Sequence, residues 1–279
     1  MTTGHYARRS VLQGAAAAGF VGAIGASPTR AQSVAVLHYT MMVMSNPAPG
    51  REAEYNTWYD TEHLPDVVSI PGFVRARRLK LAPVQFRNKS PAVPDYMAFF
   101  QIETADVAGV FAEINRRIKT GKTRMSTSMD MKGSQERLYQ MLSPPLMAAG
   151  APALDSAEDG ADGFHIVFNA PVAGKETEFN AWYDNHHLPD MLTIPGFVSG
   201  QRGKAPAFLP PPAQTESPYV AIFRFVPDNL AALAQRFTGA MPHMKMEPVM
   251  AVANGYTYLP HGPVLVGDTI RAERATKSS

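Results

Sequence analysis

EAEYNTWYDTEHLPDVVSIPGFVRARR, residues 52–78, returns as ETEFNAWYDNHHLPDMLTIPGFVSGQR, residues 176–202. The offset is a constant 124 positions, and 16 of the 27 pairs are identical. Agreement at that level marks two copies of one module. It also places the same Trp, Tyr, Asp and His cluster in two parts of the chain.

Working outward, each copy shows the same order of elements. In the first, an apolar β-rich run at 34–44 precedes a Pro/Gly loop at 46–50. A helix starts at Glu52 and is expected to break at Pro65, because proline lacks the N–H and clashes with the preceding turn. Pro71-Gly72 signals a turn into a strand at 73–81. A second aromatic-rich strand follows at 95–103. Residues 106–119 have helical spacing, with Val107, Val110, Phe111 and Ile114 on one face, and 137–142 closes as a short strand. The second copy gives a strand at 163–169, a helix from Glu176 that is expected to break at Pro189, strands from Phe197 and at 219–226, a helix at 228–237 and a strand at 256–259. The modules span 32–142 and 163–262. A Pro/Ala/Gly/Asp-rich linker, 143–162, joins them, and a C-terminal tail, 263–279, follows. Both modules read as βαββαβ, the ferredoxin-like order. Such a sheet has one face covered by helices and one bare, and the bare face must be buried. The expected fold is α+β, with the two modules packed sheet to sheet within one chain.

The run N-x-W-Y-D-x-x-H-L-P-D followed by I-P-G-F resembles the dimeric α+β barrel superfamily, closest to its EthD-like members. The sharp part of the resemblance is the two 27-residue segments. The superfamily includes cofactor-free monooxygenases, muconolactone-type isomerases, polyketide cyclases, and haem-binding peroxidases and chlorite dismutases. The resemblance therefore implies a fold more firmly than a chemistry.

At about 100° per residue, Tyr55, Trp58, Tyr59 and Glu62 share one face of the first helix. Asn56 and His63 lie on its flank. Phe179, Trp182, Tyr183 and His186 do the same in the second, with Asn180 and His187 beside them. The aromatic face is the buried one, so Glu62 and His186 are expected to point inward unless the proline break rotates them. His63 and His187 follow Tyr59 and Tyr183 by four residues, a spacing that permits contact. An imidazole with a phenol is a proton-transfer pair: one takes the proton and the other stabilises an enolate. The competing reading is a structural cap on the broken helix. Trp58 and Trp182 are either core anchors or a ligand platform. Arg78 and Arg202, read as facing opposite to Phe73 and Phe197, bind either a substrate carboxylate or Asp66 and Asp190.

The N-terminus resembles a bacterial twin-arginine signal: Arg8-Arg9, a short apolar run at 14–26, then small residues to Ala31. The expected location is the periplasm, with no membrane association once 1–31 is removed. A formal net charge of +2 without a basic aromatic stripe argues against nucleic acid. With no Cys, disulfides and thiolate chemistry are excluded. No strong zinc motif is present, and no metal site is expected. The methionines at 125, 129 and 131, and Met241, His243, Met244 and Met246, suggest copper(I) as one alternative, though methionine more often fills cores. The favoured expectation is a cofactor-independent lyase, isomerase, cyclase or monooxygenase acting on a small apolar or aromatic carbonyl compound. His187 or His63 is the base, Tyr183 or Tyr59 the donor, and Glu62 or His186 a second acid–base group. The alternatives are a haem oxidoreductase, with His187 or His243 as axial ligand, and a non-catalytic ligand binder. A homodimer is allowed.

Overall fold

In the computed structural model, residues 35–87, 90–151, 162–209, 216–226 and 229–277 are described. The twin-arginine segment and half of the linker, 152–161, lie outside them.

The first half runs β1 (Leu37–Ser45), α1 (Glu52–Trp58), a π turn (Tyr59–His63), α2 (Leu64–Val68), β2 (Phe73–Leu81), β3 (Tyr96–Thr104), α3 (Val107–Lys119), β4 (Gln135–Met141) and β5 (Leu146–Met147). The second runs β6 (Gly163–Pro171), α4 (Glu176–Trp182), a π turn (Tyr183–His187), α5 (Leu188–Leu192), β7 (Phe197–Lys204), β8 (Tyr219–Phe225), α6 (Leu230–Ala240), a 3₁₀ turn (Met241–His243) and β9 (Met250–Pro260). Strand β10 (Leu265–Val266) and α7 (Gly267–Thr276) complete the chain. Apart from β5 and the 3₁₀ turn, the halves match element for element.

One antiparallel sheet holds all the strands, in the order β2-β3-β1-β4-β7-β8-β6-β9. Strand β9 then pairs back onto β2 through Leu79 with Pro260 and Leu81 with Tyr258, so the sheet closes into an eight-stranded barrel. This is the sheet-to-sheet burial expected from the sequence, achieved by joining the edges. Closure leaves the barrel interior for side chains to fill. Met42, Met44, Leu79, Met97, Phe99, Tyr139, Phe164, Ile166, Phe168, Val220, Ile222 and Tyr258 pack there, drawn from both halves. The helices lie outside, each set over its own half. Tyr55, Trp58, Tyr59, Phe73 and Phe100 form one outer core. Phe179, Trp182, Tyr183, Phe197, Phe223 and Phe237 form the other.

Local signals fix the helices. Asp106 caps α3 by accepting from the Gly109 amide at 2.8 Å, and Asn229 caps α6 by accepting from Ala232 at 2.9 Å. Gly72 and Gly196 sit at φ +95° and +109° in the Pro-Gly turns, a backbone region that glycine enters freely. The expected break at Pro65 and Pro189 takes a different form. The helical path continues through a π turn, in which the Leu64 N–H reaches the Tyr59 carbonyl five residues back. Each proline then sits at the start of the next helical segment, where its missing N–H is least costly.

The β2–β3 loop, 82–95, crosses to the second half. There Gln85 accepts from the Thr257 amide at 2.8 Å, Ser90 and Gly255 bond at 3.0 Å, and Phe86 enters the second outer core. The β7–β8 loop returns the favour in direction only: Leu209 packs on the first outer core and Ser217 accepts from the Tyr139 hydroxyl at 3.0 Å. The C-terminal segment also folds onto the first half. Strand β10 pairs with Arg75 and Ala76 of β2, and Arg274 of α7 bonds Asp66.

Candidate functional site

The π turn decides which side chains face inward. An extra residue in a turn rotates those that follow by about 100°. Glu62 therefore turns out to solvent, 4.0 Å from Arg124, and His186 turns out beside Lys245 at 3.0 Å. This corrects the expectation that both point inward. His63 and His187 take the inward places. His187 is buried, stacked on Trp182 at 4.7 Å and edge-on to Tyr183 at 4.9 Å. His63 makes the same contacts with Trp58 at 4.6 Å and Tyr59 at 5.1 Å. The tryptophans anchor the core: Trp58 donates to the Arg124 carbonyl at 3.0 Å and Trp182 to the Lys245 carbonyl at 2.6 Å.

Arg78 and Arg202 are occupied by the fold. Arg78 donates to Asp60 at 2.9 Å and Asn56 at 2.7 Å, and its guanidinium lies 4.8 Å from the Tyr59 ring. Arg202 repeats this with Asp184 at 2.6 Å, Asn180 at 2.7 Å and Tyr183 at 4.5 Å. The expected partners Asp66 and Asp190 are not the ones used. The reason is a β-bulge between Phe73 and Arg75, repeated between Phe197 and Ser199, which shifts the alternation by one. Each arginine thus faces the helices, on the same side as Phe73 and Phe197, and is held by Asn56 or Asn180 rather than left for a ligand.

These clamps respond asymmetrically to mutation. Arg202 is 2% exposed while Asp184 is 57% exposed. Asp184→Ala leaves a buried cation short of its counter-charge and is expected to cost about 3 kcal/mol. Arg202→Met leaves an aspartate that water can solvate and is expected to cost less than half as much. Urea denaturation of the two variants checks the order.

The two outer clefts differ. In the second half, His165, Tyr183 and His187 line a small cavity with Arg87, among Val167, Met191, Phe223, Phe237, Met241 and Met250. His165 Nδ1 contacts the Thr257 hydroxyl at 3.2 Å. Its Nε2, His187 Nδ1 and Asn169 Oδ1 are buried without hydrogen-bond partners. Asn169 donates towards the Tyr183 hydroxyl at 3.5 Å. Burial pulls His165 down to about 3, helped by Arg87 and His187, and pulls His187 down to about 4. Burial also pushes the Tyr183 phenol up, so it stays a donor. In the first half Met41 occupies the place of His165, and Ser45 replaces Asn169 and bonds Tyr55 at 2.7 Å.

His165 and Arg87 escaped the sequence reading. The same 124-residue offset carried beyond the repeated segment pairs His165 with Met41, a signal that was there to be used. Arg87 carries no such signal, since its loop reaches the site by crossing between halves.

The cavity measures about 10 Å³, room for a single water-sized body. Neither a haem macrocycle nor a single aromatic ring fits the cleft as folded without side-chain movement, and His243 lies exposed outside it. The methionines do not converge: Met129 is core, Met241 faces the cleft, and Met125, Met131 and Met246 are exposed. Among the described residues no group of three or more His, Cys, Asp or Glu is placed to hold a metal, and no helix is long and apolar enough to cross a membrane.

No protein-family model matches the chain, and no curated protein does. Solved structures do. One is a protein assigned as a chlorite dismutase, with TM-score 0.50 and 11% identity, covering 85% of this chain and 98% of that one. Another is an anthrone oxidase-like protein, with TM-score 0.49 and 11% identity, covering 83% and 93%. A third is a protein assigned as a monooxygenase from Fusobacterium nucleatum subsp. nucleatum, with TM-score 0.49 and 8% identity, covering 83% and 95%. The chain has the mixed α+β fold with a large antiparallel sheet that the dimeric α+β barrel proteins share.

Proposed function

We propose that the chain is an exported, EthD-like enzyme that performs cofactor-independent proton transfer on a small apolar or aromatic carbonyl compound, in the second-half cleft. One observation carries the reading. Three buried polar atoms without partners, His165 Nε2, His187 Nδ1 and Asn169 Oδ1, belong to side chains gathered around the Tyr183 hydroxyl and Arg87 in an otherwise apolar setting. Buried polar groups left unpartnered cost free energy, and such costs concentrate where a ligand completes the bonding.

The roles follow from the protonation states. His187 is neutral at pH 7 and accepts the substrate proton at Nδ1. Its depressed pKa makes it a weak base, so the proton must come from a carbon or oxygen whose anion is well delocalised. Tyr183 donates a hydrogen bond to the forming enolate, and Arg87 supplies positive charge nearby. His165 and Asn169 orient the substrate through their open acceptor or donor positions. Met191, Met241 and Met250 are flexible side chains that re-pack as the cavity widens for a ring.

The test is deuterium exchange at the acidic carbon of aromatic ketones such as 2-tetralone, followed by proton NMR. The expected result is exchange accelerated by the wild-type chain, lowered at least 100-fold in His187→Ala, and lowered in Tyr183→Phe and His165→Met. Methionine already occupies the matching place in the first half, so His165→Met tests chemistry with little risk to folding. Exchange that is absent across the ketones, or equal in wild type and His187→Ala, overturns the reading.

A further inference from the structure

The two ends of the barrel interior differ. At one end the space narrows to about 110 Å³ beside Arg75, Arg77, Gln101 and Arg224, and those three arginines already have partners. At the other, where β6 finishes and β4 and β9 begin, an open-mouthed cavity measures about 970 Å³. Sites for drug-sized molecules run to roughly 300–1,000 Å³. The walls are mostly apolar: Phe168 and Ala170 from β6, Val252 and Tyr256 from β9, and Val93 from the loop that crosses between the halves.

One cation enters this setting. Along β4, Leu138 joins the outer core and Tyr139 the barrel interior, so alternation puts Arg137 on the interior face. Arg137 stands opposite Met42, and Tyr256 opposite Ile166. Met42 and Ile166 are related by the 124-residue offset, so one half supplies an arginine where the other supplies a tyrosine.

Arg137 is held differently from the other inward arginines. A carboxylate bonds each of Arg78, Arg117 and Arg202. Among the described residues none is paired with Arg137. Its guanidinium lies 4.6 Å from the Phe168 ring and beside the Tyr139 hydroxyl, which already gives its proton to the Ser217 carbonyl at 3.0 Å. Arg137 Nε is buried without a partner, and so is the hydroxyl of Tyr258, which lies near enough to feel the arginine's charge. An always-charged group with no counter-ion, set in aromatic surroundings, is suited to an incoming anion. Glu136 and Glu216 edge the mouth and are exposed. Two carboxylates there repel a multiply charged ligand, which favours a single negative charge.

We propose that this end of the barrel binds an amphipathic monocarboxylate, with its acid group on Arg137 and a drug-sized apolar body against Phe168, Val252, Tyr256 and Val93. The cavity lies on the opposite face of the sheet from the proton-transfer cleft and shares no lining residue with it.

Fluorescence titration with pyrenebutyrate tests it, with the neutral pyrenebutanol as a parallel arm. The expected result is that the wild-type chain binds the acid more tightly than the alcohol. Arg137→Gln should weaken the acid about tenfold or more and leave the alcohol unchanged, while Arg137→Lys, which keeps the charge, restores part of the loss. Val252→Trp fills the mouth and should weaken both probes. His165→Met, in the cleft, should leave both affinities unchanged. Should Arg137→Gln fail to fold, the preference for acid over alcohol and the effect of Val252→Trp still decide. Absence of acid binding, equal affinity for acid and alcohol, acid binding that survives Arg137→Gln or Val252→Trp, or binding lost in His165→Met overturns the proposal.

Discussion

Acidification from pH 7 to pH 5 is expected to lower the melting temperature by roughly 10–20 °C. Three histidines drive it. Burial holds His63 and His187 at about 4 and His165 at about 3, against about 6.5 in an unfolded chain. Asp66 opposes the shift at His63 and Asp190 at His187, while Arg87 reinforces it at His165 and His187. The sign follows from proton binding. Between pH 6.5 and 4 the unfolded chain holds protons that the folded chain refuses. Stability is therefore complete above about pH 6.5 and is lost as the pH falls towards 4. Three such groups together remove about 5 kcal/mol by pH 5, a large part of the stability of an ordinary domain. Melting curves at pH 7 and pH 5 check it, with His165→Met expected to remove about a third of the pH dependence. A shift below about 3 °C would show that the imidazoles titrate normally.

The second large effect is expected from Phe86→Ala, with a loss of about 3–5 kcal/mol. Phe86 lies in a loop of the first half but belongs to the core of the second. Its ring stacks on Phe237 at 5.4 Å, meets Phe225 at 5.4 Å and lies 5.0 Å from His165. Truncation opens a cavity that neighbouring strands cannot close, because the barrel fixes their spacing. It also lets water reach His165, whose pKa should rise towards its ordinary value. Urea denaturation reads the first consequence and imidazole NMR titration the second. Phe208, in the reciprocal loop, is 55% exposed, and Phe208→Ala should change stability by no more than about 0.5 kcal/mol. Equal effects of the two substitutions would refute the asymmetry.

The doubled segment made the fold legible. Repeated W-Y-D-x-x-H-L-P-D and I-P-G-F fix helix, turn and strand in each half, and a half-bare sheet demands a partner. What stayed hidden involved single-residue changes of phase. A π turn and a β-bulge each insert one residue, and neither leaves a compositional mark. The π turn exchanged Glu62 for His63 on the inner face, and the bulge gave Arg78 to Asp60. The copies also disagree away from 62 and 186. Among the disagreements that line cavities are Met41 against His165, and Arg75, Arg77 and Gln101 against Ser199, Gln201 and Arg224. They lie on strands, two of the four pairs inside the repeated segments and two beyond them.

Barrel closure has a consequence for how the molecule is assembled in time. The β2–β9 seam joins Leu79 to Pro260, residues 181 positions apart. During synthesis the first half can pair its own strands early, yet the ring cannot shut until residue 260 is available. Contacts of such sequence separation are slow to form, since the loop entropy must be spent before they reward the chain. Until then two strand edges stand open to any other chain nearby. The same seam is short, with three residue pairs from Leu79 to Leu81, and its companion between β4 and β7 has two, Gln140 with Lys204 and Met141 with Gly203. The ring is thus built from two wide staves joined by narrow ones. Its slowest folding step and its first opening motion fall on the same lines.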